Sequence, residues 1–173
     1  GDLVDANELR YHVSMGAKKM LQYAFPALDE TSILETLYDR FLTRYAEQID
    51  YLTKPLEGVP DTLDQLTAKG YQWGIVSNKS ERFTQTLTEF FDWHDKAAVV
   101  IGGDTTPEKK PSPVPLLHAM QLMNCSPEAC IFVGDAEVDI LAGKRAGMKT
   151  IIANFGYLNP HWDYRSWGAD AIA

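Results

Sequence analysis

The sequence predicts an α/β protein with a mostly parallel sheet, helices on both faces of that sheet and a smaller all-helical domain at the N-terminus. From Pro55 onward, helical stretches alternate with short apolar runs, which is the pattern of parallel strands joined by helices. Residues 8–52 instead carry apolar side chains at helical spacing and show no strand-like alternation. These two observations divide the chain into a helical domain, residues 1–54, and an α/β domain, residues 55–173.

The elements of the α/β domain follow from apolar spacing and from the residues that end each helix. Gly70 and Gly147 are predicted to end helices, because glycine readily adopts the left-handed backbone found just after a helix. The predicted helices span residues 59–69, 81–91, 113–123 and 138–146. The predicted strands, with their exit residues, span 72–78, 97–101, 130–133 and 150–153, and a last short strand is expected at 171–172.

The composition is that of an ordinary globular protein with an acidic balance. The 173 residues carry a formal net charge of −8, which argues against a nucleic-acid partner. No apolar run approaches the roughly 20 residues of a membrane-spanning helix, and the polar N-terminus does not resemble a signal peptide. Cys125 and Cys130 are expected to be buried, reduced thiols. We therefore predict a cytoplasmic protein with no membrane partner, either a monomer or a homodimer.

Two carboxylates follow the predicted strand at 130–133, where the apolar run ends in Gly134-Asp135 and Asp139 comes four residues after Asp135. The carboxyl ends of strands are where open α/β sheets bind their ligands. Carboxylates that leave room for water and for a substrate phosphate suit Mg²⁺. Taken alone, an aspartate at this position can also simply cap the next helix.

Two other strand ends carry groups that suit a phosphate. Ser77 and Asn78 follow the first strand and open a helix, where a hydroxyl and backbone N–H groups can meet a phosphate. Lys110 precedes Pro111-Ser112-Pro113, and a lysine on such a stiff loop can act as a fixed point charge. Each group has an ordinary alternative, a helix cap for Ser77 and Asn78 and a solvated surface charge for Lys110.

In combination, these residues resemble the haloacid dehalogenase-like (HAD) phosphohydrolase superfamily. Ser77 matches its second motif, a Ser or Thr at a strand end, and Lys110 matches its third, a Lys often found in Lys-Pro-x-Pro. Gly134-Asp135 with Asp139 matches its fourth motif, Gly-Asp-x-x-x-Asp, and the resemblance spans residues 56–153. It implies a Rossmann-like parallel sheet core of the HAD type. Residues 8–52 then resemble the small helical cap domain that this superfamily inserts after its first core strand.

The finer resemblance is to phosphoglycolate phosphatase-like members. The cap segment 9–17 and the cap-to-core hinge 56–59 look like theirs. The C-terminal segments 153–157 and 167–170 also resemble a bacterial branch proposed to dephosphorylate N-acetylmuramate 6-phosphate. Ser112 stands where relatives often have His, so a minor contact there is expected to differ.

The resemblance implies a Mg²⁺-dependent phosphomonoesterase that hydrolyses a small phosphorylated metabolite through an aspartyl-phosphate. Asp135 would ligate Mg²⁺, and Asp139 would support the metal, directly or through water, and orient Lys110. Lys110 would offset the negative charge shared by the carboxylates and the phosphate. Five further residues are implied in binding: the phosphate ligands Ser77 and Asn78, and the cap-loop residues Ser14, Met15 and Gly16, which would help select the substrate.

The superfamily's first motif, Asp-x-Asp-x-Thr, supplies the nucleophile and the acid/base aspartate, and neither is found in this chain. A register that places both aspartates just before Gly1 leaves too few residues between Asp5 and Val13 for the first cap helix. We therefore expect the chain to begin inside the cap, with the first core strand, its motif and the first cap helix upstream.

Three hypotheses about function are compatible with the sequence. The first is a normal phosphatase whose first motif lies outside this chain, and the second is a catalytically inactive phosphate-binding fragment or pseudoenzyme. The third is a related phosphoryl-transfer enzyme such as a mutase. The substrate is equally open between 2-phosphoglycolate and N-acetylmuramate 6-phosphate, since both carry a phosphate and a carboxylate.

Overall fold

A computed structural model describes residues 4–26, 31–159 and 161–173, without the side chains of Thr31 and Ser32. Residues 1–3, on which the alternative N-terminal register depends, lie outside the described residues. The described part of residues 4–54 is helical and contains no strand. Its elements are helix α1 (Ala6–Leu9), a 3₁₀ helix (Arg10–Met15), α2 (Ala17–Ala24) and α3 (Thr31–Glu47).

Beyond residue 55, helices and strands alternate as the sequence predicts, and each element ends within a few residues of its predicted bounds. The elements are α4 (Val59–Ala68), β1 (Gly74–Val76), α5 (Glu81–Phe90), β2 (Val99–Ile101), α6 (Val114–Met123), β3 (Ile131–Gly134), α7 (Glu137–Arg145), β4 (Lys149–Ile152) and β5 (Ala171–Ile172), with short 3₁₀ helices at Pro127–Ala129 and Tyr164–Trp167. Gly70 and Gly147 follow α4 and α7 with φ of 79° and 80°, as expected of glycines that end helices.

All of the strand pairs are parallel, which confirms the predicted α/β class. They form two separate sheets among the described residues, a pair in the order β1-β2 and a triplet in the order β3-β4-β5. β1 comprises Gly74–Val76, shorter than the stretch 72–78 expected to hold the strand and its exit loop. Its register with β2 runs only from Gly74 opposite Val99 to Val76 opposite Ile101, and a strand extends only as far as it has a partner to bond.

The helices α6 and α7 bury the apolar sides of the strands. One cluster of buried residues joins these two helices through Leu116, Met120, Ala142 and Ala146. A second cluster places Ala119 of α6 against Val99 and Ile101 of β2. Small residues on α7 allow close packing, since a Cβ added to Gly143 would lie 2.5 Å from Cγ2 of the buried Thr150. The core therefore holds the carboxyl ends of the strands in fixed positions.

The two sheets leave β1 and β3 each with one unpaired edge among the described residues. On β3, the side chains of Ile131 and Val133 are 61% and 50% exposed, whereas the strands of a parallel sheet are ordinarily buried on both faces. An unpaired, apolar strand edge is a template for pairing with another strand.

Cys125 and Cys130 are both free, in line with the expectation of reduced thiols. They are half-buried rather than buried, because they lie at the border of the α6/α7 cluster rather than within it. Within the described residues, no helix combines the length and the apolar character needed to cross a membrane.

Candidate active site

Lys110 joins the carboxyl ends of the two sheets. Its side chain is buried, and Nζ donates a hydrogen bond of 2.7 Å to the carbonyl oxygen of Val76, the last residue of β1. The same ammonium lies 2.8 Å from Oδ1 of Asp139, in the first turn of α7 beyond β3. Lys110 therefore is not a solvated surface lysine, and the alternative drawn from its sequence context is wrong. A buried charge of this kind is tolerated only with partners such as these.

Asn78 holds the backbone of Lys110 with its side-chain amide. Nδ2 of Asn78 donates to the carbonyl oxygen of Lys110 at 2.9 Å, and the Lys110 N–H donates to Oδ1 of Asn78 at 3.0 Å. On the other side of the loop, Arg145 donates to the carbonyl oxygen of Pro111 at 2.8 Å. These contacts aim the ammonium, and the side chain of Asn78 thus has a role that its sequence motif did not indicate.

Ser77 lies at the carboxyl end of β1, where its N–H donates to the carbonyl oxygen of Ile101 in β2 at 2.9 Å. Its Oγ accepts the Lys79 N–H at 3.1 Å, which curls the loop toward α5. The loop after β2 packs backbone to backbone against this turn, since a Cβ on Gly103 would lie 2.3 Å from the carbonyl oxygen of Asn78. The sequence gives one signal for this close approach, a pair of glycines directly after the strand end at Ile101.

Asp139 is buried and has both carboxylate oxygens engaged. Oδ1 pairs with Lys110, and Oδ2 accepts the Ala136 N–H at 3.1 Å, an interaction typical of an acidic residue in the first helical turn. Gly134 permits this arrangement, because an added Cβ would lie 2.4 Å from Cβ of Asp139. Asp139 thus orients the lysine, with no carboxylate oxygen left unbonded for a cation.

Asp135 is half-buried, directly after β3, and has one engaged oxygen. Oδ2 accepts the Tyr157 N–H at 2.9 Å, while Oδ1 has no hydrogen-bond partner among the described residues. Gly156 lies so close that an added Cβ would be 2.6 Å from Oδ2. Sequence analysis noted residues 153–157 only as a family resemblance and did not identify Gly156 or Tyr157 as neighbours of the carboxylate.

The donor set fits Mg²⁺ in part. The free oxygen of Asp135 is a hard ligand, and Mg²⁺ commonly uses one or two carboxylates with water and substrate phosphate for the rest. Each oxygen of Asp139 already has one partner on the protein, Lys110 or the Ala136 N–H, so this carboxylate serves to hold the lysine. The described residues contain no group of three or more His, Cys, Asp or Glu side chains placed to hold a metal ion.

Ser14, Met15 and Gly16, which are predicted to form the cap loop, close the 3₁₀ helix and precede α2. The Met15 side chain is exposed, and no hydrogen bond links these three residues to residues 55–173 in the described structure. Two other residues of the predicted cap do contact residues 55–173. The Arg10 guanidinium lies over the Tyr157 ring at 5.7 Å, and the Lys79 ammonium donates to Oη of Tyr45 at 2.6 Å.

Comparisons with known proteins show the family of this chain. Residues 2–153 match the model of the family described as haloacid dehalogenase-like hydrolase. A phosphoglycolate phosphatase of Xylella fastidiosa (strain 9a5c) is 39% identical over 165 residues, which cover 95% of this chain and 72% of the relative. An N-acetylmuramic acid 6-phosphate phosphatase of Pseudomonas aeruginosa is 34% identical over 169 residues, covering 98% and 75% of the two chains.

Solved structures share the fold. A protein described as a predicted phosphoglycolate phosphatase from Haemophilus somnus 129PT superposes with a TM-score of 0.86 at 23% identity, covering 98% of this chain and 78% of that one. A haloacid dehalogenase-like hydrolase from Bacteroides fragilis superposes with a TM-score of 0.84 at 19% identity, covering 98% and 80%.

Proposed function

Because this chain belongs to the haloacid dehalogenase-like hydrolases, we propose that it forms the cap and most of the core of a Mg²⁺-dependent phosphomonoesterase acting on a small phosphorylated metabolite. The observation that carries the proposal is the buried Lys110 ammonium, held between the end of β1 and Asp139. A fixed cation in a water-poor site stabilises the charge of a transferring phosphoryl group far more than a solvated one.

The proposed roles follow from the contacts around Lys110. Asp139 pairs with the ammonium and orients it, and the clamp from Asn78 fixes the Lys110 backbone. Ser77 and the N–H groups of the turn after it are proposed to bind phosphoryl oxygens, which backbone donors at a helix start do well. Asp135 is proposed to hold Mg²⁺ through its free oxygen, and the ion would supply charge neutralisation.

The nucleophile is proposed to lie on a strand that pairs with the unpaired edges of β1 and β3. Two observations support this arrangement. The described strands form two parallel sheets rather than one, and Lys110 already connects their carboxyl ends. A strand at this place would deliver its last residues beside Lys110, Asp135 and Ser77, where attack on a bound phosphate and formation of an aspartyl-phosphate are chemically sensible.

The substrate is proposed to be 2-phosphoglycolate or N-acetylmuramate 6-phosphate. Relatives named for each of these phosphatases match nearly the whole chain at similar identity. The cap loop at Ser14, Met15 and Gly16 is proposed to select between the two substrates. This loop closes the 3₁₀ helix that begins at Arg10, and Arg10 contacts the core through the Tyr157 ring.

The test is phosphate release by the full-length protein from each of the two substrates, with Mg²⁺ or with a chelator. Replacing Lys110 with Ala should lower kcat by about 100-fold or more, the size of losing one preorganised charge donor. Lys109→Ala is the matched control, since Lys109 is the exposed neighbour on the same loop and should retain activity. Binding of phosphate without hydrolysis of either substrate would contradict the proposal and favour a phosphate-binding pseudoenzyme.

A further inference from the structure

The loop of residues 153–157 covers the Asp135 carboxylate. The Tyr157 N–H donates to Oδ2 at 2.9 Å, and Gly156 passes so close that any side chain there would collide with the carboxylate. A bond to one oxygen restricts the rotation of the carboxyl group, while the other oxygen has no hydrogen-bond partner among the described residues. The position of Asp135 therefore depends on the position of this loop.

The cap reaches the same loop through Arg10. The guanidinium carbon of Arg10, at the start of the 3₁₀ helix, lies 5.7 Å from the centroid of the Tyr157 ring and 5.9 Å from that of Tyr11. Both distances are within the range of a cation–π interaction. Arg10 has no carboxylate partner among the described residues, so its contact with the two rings is not competing with an ion pair.

We propose that Arg10 is a positioning residue that seats the 153–157 loop on Asp135, so that contact of the cap with the core sets the affinity of Asp135 for a divalent cation. The Tyr157 residue carries the connection, since its ring contacts Arg10 and its N–H holds Asp135. Seating the loop in advance lowers the ordering cost that cation binding would otherwise meet. The expected effect on cation affinity rests on the proposed function. The seating of the loop by Arg10 does not depend on that function.

The first readout is hydrogen exchange at the Tyr157 amide in the metal-free, full-length protein. Arg10→Gln should speed this exchange by about two- to fivefold, the value of an exposed cation–π contact. Arg10→Lys keeps a cation over the ring and should recover most of the protection. Unchanged exchange in Arg10→Gln would overturn the inference.

The second readout is the affinity for Mn²⁺, a paramagnetic probe of Mg²⁺ sites, measured by titration without substrate. Arg10→Gln and Tyr157→Leu should each weaken binding by about two- to fivefold, and the double variant should be no weaker than either single one. Additive losses would overturn the proposed connection, because they would mean that Arg10 acts by another route.

Two control variants separate this role from its alternatives. Arg165 lies over the Tyr164 ring at 5.8 Å in a C-terminal 3₁₀ helix, so Arg165→Gln removes a similar contact without touching the loop. Tyr45→Phe removes the hydrogen bond from Lys79 to the cap and keeps the ring contacts with Lys79 and Phe83, so it tests whether losing that hydrogen bond is enough. Neither should change the Mn²⁺ affinity, and a loss in Tyr45→Phe equal to that in Arg10→Gln would overturn the inference. A wild-type protein that releases no phosphate would contradict the proposed function. The hydrogen-exchange result would then decide by itself whether Arg10 positions the loop.

Discussion

At the scale of single residues, the site depends on bonds between side chains and backbone more than on bonds between side chains. Lys110 is aimed by the carbonyl oxygen of Val76 and by the amide of Asn78, and only one of its contacts is to a carboxylate. Asp135 is likewise held by a backbone N–H, from Tyr157. Such contacts fix each charged group relative to a strand end, so the geometry of the site depends on the positions of the strands.

Asn78→Ala tests this view directly. It removes a donor and an acceptor that bond the Lys110 backbone, and should lower the free energy of unfolding by about 1–3 kcal/mol. Urea unfolding followed by circular dichroism measures the change. Asn7→Ala is the control, because the Asn7 side chain makes no hydrogen bond in the described structure and only its N–H is used. Equal stability of the two variants would contradict the conclusion that the Asn78 side chain holds the Lys110 backbone.

Gly134→Ala tests the close approach of β3 to α7. The added methyl group would lie 2.4 Å from Cβ of Asp139, and overpacking of this kind costs about 1–3 kcal/mol because backbone or side chain must shift. The shift is expected to lengthen the Lys110–Asp139 pair, so phosphatase activity should fall together with the melting temperature. A variant with wild-type activity and stability would show that the β3–α7 turn has room to adjust.

At the scale of elements, the last strand is tied to its neighbour by an ion pair. Asp170, just before β5, accepts the N–H of Thr150 at 2.9 Å and lies 2.7 Å from the ammonium of Lys149 on β4. These two contacts, the lysine first, lower the pKa of Asp170 to about 2. The folded pKa lies below the ordinary value, so the contact stabilises the fold above about pH 4, and its contribution is lost as the pH falls toward 2.

Asp170→Asn should therefore remove part of the acid sensitivity of the fold. The difference in unfolding free energy between wild type and variant is expected to be largest near neutral pH and to shrink as the pH falls from 4 to 2. Chemical denaturation at a series of pH values measures it. Asp95→Asn, at an exposed aspartate with no side-chain bond in the described structure, is the control. A difference in unfolding free energy that stays constant with pH would contradict the conclusion that ionised Asp170 stabilises the fold.

The two thiols lie on the connection between α6 and β3, with Cys130 directly before β3, and their Sγ atoms are 3.2 Å apart. Burial, with the neighbouring Cys125 second, raises the pKa of Cys130 to about 11. At pH 8 only about one Cys130 in a thousand is then a thiolate, the reactive form. We expect slow alkylation of Cys130 by iodoacetamide in the native protein and rapid alkylation in urea, read by mass spectrometry. Fast native labelling that persists in Cys125→Ser would contradict this.

At the scale of the whole molecule, the described strands form two sheets in which β1 and β3 each keep an unpaired edge, and β3 exposes Ile131 and Val133. A polypeptide of residues 1–173 alone should therefore bind the dye 1-anilinonaphthalene-8-sulfonate and self-associate, while the full-length protein should do neither. Fluorescence and light scattering measure both properties. A monomeric polypeptide that binds no dye would mean that β1 and β3 pair with something within these residues.

Much of the fold could be predicted from the sequence, because its signals are local. Apolar periodicity located the helices and strands, and glycines after helices marked their ends, since both depend on residues close along the chain. The candidate site residues Ser77, Lys110, Asp135 and Asp139 were located in the same way, each by its place after a strand. The pairing of Asp139 with Lys110 was implied only by the family resemblance. The bond from Lys110 to Val76 was not predicted, because these residues are 34 positions apart and come together only in the folded chain.

The sequence by itself determined the fold class, the order of the elements and the residue types at the strand ends, because these follow from spacing along the chain. Only the tertiary structure decided that Lys110 is buried between two sheets, that Asp139 uses both oxygens on the protein, and that Asn78 clamps the lysine by its side chain. It also decided that Gly156 and Tyr157 lie against Asp135 and that Arg10, from the helical residues 4–54, contacts the Tyr157 ring. The physical reason is that hydrogen bonds and ion pairs join atoms that packing brings together, whatever their separation in sequence.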